Sequence, residues 1–97
     1  MEAVKRLEII TDAREMREVR AVLHRLGVAG YSVIREVTGC GERGVQSGDE
    51  ISGVFTNSLL LTTCAAEQLT ALVEAIRPIL HRSGGVCLVS DALSVWH

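Results

Sequence analysis

Gly39-Cys40-Gly41-Glu42-Arg43-Gly44 gathers the residue types best suited to holding an anion. Glycine lets backbone amides approach a ligand closely, and arginine adds a rigid fork of donors that matches phosphate or carboxylate. Amides and a guanidinium together make an oxyanion cradle. Five of the nine glycines fall between residues 39 and 57. A second pair, Gly84-Gly85, precedes the last apolar run. Its plain reading is a helix C-cap and turn. Its functional reading is a second loop that faces the first across a subunit boundary in a ferredoxin-like sandwich, with a ligand gripped by both.

The hexapeptide satisfies G-x-G-x-x-G, yet a dinucleotide fold also needs a helix opening there and a doubly wound sheet. Val45-Gln46-Ser47-Gly48 is a poor helix start, and 97 residues leave no room for such a sheet. The anion cradle survives that exclusion; the dinucleotide fold does not. Other chemistry is sparse. Glu36 and Glu42 have no nucleophile or metal motif beside them, so a solvated or arginine-paired role is expected. His24, His81 and His97 lack zinc-binding spacing, and Cys40, Cys64 and Cys87 contain no CxxC. Cys40 is either a thiol activated near Arg43 or a small side chain in a glycine loop. Cys64 and Cys87 read as buried fillers. Neither a metal site nor a catalytic triad is expected.

These residues need elements to position them. Val4–Ile10 alternates as a strand. Asp12 with Glu15 resembles a capping box, followed by an apolar stripe of Met16, Val19, Leu23 and Leu26 that ends at Gly27. Residues 30–38 and 58–63 read as the second and third strands. A second helix spans about Ala65–His81, with Pro78 predicting a kink or frayed last turn. Val86–Ser90 is a fourth strand, and Val95-Trp96 a short extension. The order β-α-β-β-α-β fits an α+β, ferredoxin-like sandwich, one domain over residues 1–97 with a long loop at about 39–57. A loop of that length in a small domain is usually either functional or a disordered connector, and its composition favours a ligand loop.

Composition bounds the function. Only Tyr31, Phe55 and Trp96 are aromatic, and 47% of the chain is hydrophobic. A chain this short is marginal alone, so a subunit interface is expected to complete its core. Leu59-Leu60-Leu61 and Val86-Cys87-Leu88-Val89 are apolar on both alternations, which predicts cover on both sheet faces. A net charge of −2 offers no basic field for nucleic acid. No apolar stretch approaches the roughly 20 residues of a membrane span, and Met1–Arg6 has no signal-peptide core. The cysteine pattern suits a reducing cytoplasm.

Over Val4–Trp96 the chain resembles the PII-like signalling proteins. The resemblance rests on Leu7-Glu8-Ile9-Ile10-Thr11, Gly30-Tyr31-Ser32-Val33, the run from Gly39 to Gly48, and Gly84-Gly85-Val86-Cys87-Leu88-Val89-Ser90-Asp91. Among these proteins it is most similar to the carboxysome-associated and bicarbonate-transporter-associated branch. The resemblance implies a homotrimer that binds adenine nucleotide between neighbours and signals through the long loop, the family's T-loop. Gly39, Cys40, Gly41, Glu42, Arg43, Gly84 and Gly85 would then form the nucleotide and anion site. Bicarbonate as co-ligand, and a bicarbonate transporter or carboxysome-related protein as partner, follow from the branch alone.

The chain departs from PII proper in ways that carry chemistry. Its long loop has no tyrosine to modify. Glu42 stands where PII proper has a glutamine for magnesium and 2-oxoglutarate, and a carboxylate there repels that dianion. Val86 replaces a lysine, and Ser94-Val95-Trp96-His97 lacks the usual C-terminal arginines. Fewer cations favour AMP, ADP or cyclic AMP over ATP. The C-terminal cysteine pair of some transporter-linked relatives is also absent. Rival readings are a small enzyme or slow nucleotidase using Glu42 or Glu36 as base, an amino-acid-binding regulatory domain, and a metal-tolerance trimer.

Overall fold

The computed structural model describes residues 1–28, 30–38 and 57–97. Six elements and one 3₁₀ turn follow in order: β1 (Glu2–Asp12), α1 (Ala13–Arg25), β2 (Tyr31–Val37), β3 (Asn57–Cys64), the turn Ala66–Gln68, α2 (Leu69–Ser83) and β4 (Val86–Ser94). The strands form one antiparallel sheet in the order β2-β3-β1-β4. The expected ferredoxin-like order is therefore present.

Alternation decides which strand residues meet the helices. Leu7 and Ile9 of β1 lie opposite Thr62 and Leu60 of β3, and all four are buried. Met16, Val19 and Leu23 of α1 and Leu72, Ile76 and Ile79 of α2 close over them. Each fully buried Leu or Ile contributes roughly 1.5–3 kcal/mol of transfer free energy, so this one layer supplies most of the chain's cohesion. Cys64 is buried beside that core and Cys87 is half-buried. Desolvation raises the pKa of both thiols, which keeps them protonated and suits their expected role as fillers.

Element ends show where local chemistry sets geometry. Asp12 caps α1, its Oδ1 accepting from the Glu15 amide at 2.8 Å. Only half of the expected capping box forms, because the Glu15 carboxylate turns to Arg82. Gly27 leaves the helix at φ +80°, where a side chain would be strained. The second helix begins through the 3₁₀ turn, with Gln68 Oε1 accepting from the Ala65 amide at 2.9 Å. It runs through Pro78 to Ser83, beyond the expected end at His81. Pro78 and Glu74, whose carbonyl loses its amide partner, are both exposed, so the lost bond falls on the solvent side. β4 continues to Ser94, and Val95-Trp96 lies outside it.

The opposite face of the sheet has no helix. Register places Ile34, Leu59, Ile10 and Val86 in one row across it, and Ser32, Leu61, Glu8 and Leu88 in the next. Ile34 is 56% exposed and Leu88 57%. Arg6 and Glu8 pair on this face at 2.6 Å.

Candidate functional site

Antiparallel pairing brings four strand ends to one end of the sheet. Asp12 of β1 lies opposite Asn57, the first residue of β3, while Ile10 lies opposite Val86, the first residue of β4. Val37, the last residue of β2, lies on the other side of Asn57. The anchors of the long connection and the Gly84-Gly85 turn therefore share one end of the same sheet. Strand spacing sets them roughly 10 Å apart, on either side of the end of β1.

The glycine turn is built by close approach. Gly84 adopts φ +73° and donates its amide to the Leu80 carbonyl at 2.8 Å. Gly85 donates to the same carbonyl at 3.1 Å. A Cβ on Gly85 would stand 2.6 Å from the Ile10 carbonyl oxygen, a separation that real side chains do not adopt. Ser83 Oγ accepts from Thr11 Oγ1 at 2.7 Å and from the Gly85 amide at 3.2 Å. Thr11 is almost fully buried, so this hydroxyl pair clamps the turn to β1 from inside.

Arg82 is the nearest cation in sequence to that turn, and it is engaged elsewhere. Its Nε and Nη2 donate to the two Glu15 carboxylate oxygens at 3.0 and 2.7 Å, and Nη2 also reaches Glu18 at 3.1 Å. This fork joins α1 to α2 across the helix layer. The hydrogen bond from Arg82 holds the Glu15 pKa below its usual value, and the same bond raises that of Arg82. A guanidinium bound in this way is poorly placed to serve an incoming phosphate as well.

Two of the expected site residues, Gly84 and Gly85, thus lie at the sheet end that also anchors the long loop. Gly39, Cys40, Gly41, Glu42 and Arg43 lie outside the described residues, as does the rest of the loop up to residue 56; Asn57 already belongs to β3. Glu36, the alternative base, is exposed and sits at φ +60° in an irregularity of β2. The Thr11–Ser83 clamp was not expected from the residue pattern. Its only sequence signal is a serine directly before a glycine pair, which many turns share. Among the described residues, no three His, Cys, Asp or Glu side chains are grouped to hold a metal, and no helix is long and apolar enough to cross a membrane.

Known proteins agree with this architecture. CPII from Thiomonas intermedia K12, in a structure bound to ADP, AMP and acetate, is 23% identical, with a TM-score of 0.80 over 94% of this chain and 87% of that one. The same protein bound to ADP and bicarbonate is 26% identical, with a TM-score of 0.79 over 93% of this chain and 86% of that one. Its apo form, described as a nitrogen regulatory PII-like protein, is 22% identical, with a TM-score of 0.77 over 93% and 89%. No curated protein matches at a significant level. The family model for nitrogen regulatory protein P-II matches residues 4–96, nearly the whole chain, and the protein therefore belongs to the P-II family.

Proposed function

We propose that this chain is one subunit of a non-enzymatic, homotrimeric sensor that binds AMP or ADP between subunits. The observation that carries the reading is the meeting of the loop anchors and the Gly84-Gly85 turn at one end of the sheet. A ligand held there touches both a rigid turn and the base of a long loop, so its binding energy is available to bias the loop. In this reading Gly39, Cys40, Gly41, Glu42 and Arg43 contact the phosphates, with Gly84 and Gly85 opposite them. The single arginine of that set supports a monophosphate or diphosphate better than a triphosphate. Structural neighbours bound to ADP, AMP and bicarbonate support both the nucleotide class and bicarbonate as co-ligand.

The open sheet face supports the trimer. Exposed aliphatic side chains on β2, β3 and β4, among them Ile34, Leu61, Val86 and Leu88, lie on that face, and a second and third copy of the chain would cover them. The loop at 39–57 then acts as the T-loop, and its ligand-dependent shape changes affinity for a partner in inorganic-carbon regulation. The partner in this reading is a bicarbonate transporter or a carboxysome-related protein, met in the cytoplasm or at the carboxysome. A coupling of about 1–3 kcal/mol between nucleotide and partner is enough for a switch of roughly 5–150-fold.

Calorimetry with AMP, ADP, ATP and cyclic AMP, each with and without bicarbonate, tests the reading. AMP or ADP is expected to bind more tightly than ATP, and Arg43→Ala to weaken both while the assembly stays intact. Failure of every nucleotide to bind below millimolar concentration would overturn it. Nucleotide turnover that disappears in Glu42→Gln would replace the sensor with an enzyme.

A further inference from the structure

A cavity of about 360 Å³ lies on the helix side of the sheet, between α1 and the edge strand β2. Arg20 of α1 and Arg35 of β2 border it, Met16 and Val33 supply apolar wall, and Glu36 and Ser58 add polar groups. Among the described residues, neither Arg20 nor Arg35 has a carboxylate within ion-pairing distance, whereas Arg77 and Arg82 of α2 both do. Two guanidinia on one small cavity repel each other, and a bridging oxyanion turns that repulsion into two charge-assisted contacts.

The backbone of β2 is adapted to the same place. Ile34 lies opposite Leu59, but Val37 lies opposite Asn57, so one extra residue is inserted between them. Strict alternation would send Glu36 to the open face with Ile34. The bulge instead lets Arg35 and Glu36 border the same helix-side cavity, with Glu36 at φ +60°. A non-glycine residue there is held against its preference, and bulges that re-aim side chains recur beside binding sites. Glu36 stays outside ion-pairing range of both arginines, which leaves its carboxylate to accept hydrogen bonds from a ligand.

We infer that the α1–β2 cavity is a binding site for a small phosphate monoester of a polyol. The arginines hold the phosphate, Glu36 and Ser58 meet the hydroxyls, and Met16 and Val33 lie against the carbon chain. The volume is at the small end of ligand pockets and suits a three- to five-carbon ester. The site lies on the helix side of the sheet beside the loop anchors, shares no lining residue with the set assigned to adenine nucleotide, and does not rest on that assignment.

Titration calorimetry of the intact protein with glycerol 3-phosphate, ribose 5-phosphate, inorganic phosphate and ribose provides the test, in the presence and absence of saturating AMP. Both esters are expected to bind more tightly than phosphate, ribose not to bind, and AMP to leave ester binding unchanged. R20Q and R35Q should each weaken the esters about ten- to hundredfold, the loss of one charged hydrogen-bonding group. E36Q should narrow the gap between ester and inorganic phosphate. Circular dichroism and melting of each variant separate a lost contact from a lost fold, and Arg20 and Arg35 are both exposed, so the folds should hold. Absence of ester binding, displacement by AMP, equal affinity for phosphate and ester, or unchanged affinity in both arginine variants would each overturn the assignment.

Discussion

The two faces of the sheet carry similar side chains and meet different fates. On the helix side Leu7, Ile9 and Leu60 are completely buried. On the open side Ile34, Leu61, Val86 and Leu88 remain exposed, although they sit on the same strands and are as apolar. The helix side is satisfied by local chain, since α1 and α2 follow directly from β1 and β3. The open side has no covering element among the described residues. Hydrophobicity of a strand thus reports that a face wants cover, while topology decides whether the same chain supplies it.

The contrast can be broken from either side. Leu60→Ala should cost the most, about 2–5 kcal/mol, because it opens a cavity in a layer with no room to relax. Chemical denaturation should show that loss at every protein concentration. Leu88→Lys should do the reverse. Leu88 lies opposite Glu8, so the new ammonium finds a carboxylate within the subunit while placing a charge in the proposed interface. Light scattering should then report a folded monomer; a trimer unchanged by L88K would remove the open face from the assembly.

Smaller effects probe how the covered side is held. Asp12→Ala removes the cap of α1 and should lower stability by about 0.5–2 kcal/mol, read as a shift in the denaturation midpoint. Glu15→Gln should have the smallest effect and a pH signature. The Glu15 pKa is lowered in the folded state, so its contribution is complete above the unfolded value near 4.5 and fades as pH falls through the depressed folded value. Melting curves of E15Q and the unaltered protein should therefore differ at neutral pH and converge in acid. A difference that persists at low pH would mean that packing, and not the Arg82 ion pair, is what Glu15 provides.

Much of this molecule is legible in its residues, and the illegible parts share a cause. Alternation in β1 and the stripe of α1 announce themselves within a few residues, as do the Asp12 cap and the Gly27 stop. Arg82 does not announce itself. It reads as one more surface arginine, yet its partners Glu15 and Glu18 are more than sixty residues away. Glu36 is hidden for a related reason, because no turn residue in Ile34-Arg35-Glu36-Val37 signals a bulge, and only pairing with β3 reveals the extra residue. Of the candidate site, the glycines at 84 and 85 were visible from composition, but the Thr11–Ser83 clamp joins residues from opposite ends of the chain.

The sequence by itself determined the order of elements, the family and the need for a second layer over the sheet. The order and the second layer follow from periodicity and residue type, which act over one or two helical turns, and the family from its match to the P-II model. Tertiary structure alone decided that the loop anchors and the glycine turn share one end of the sheet, and that two arginines from separate elements border one cavity. It also decided which apolar face the chain covers itself. Such facts depend on strand order and register, and a one-residue change in register would exchange the two faces without altering a single local preference.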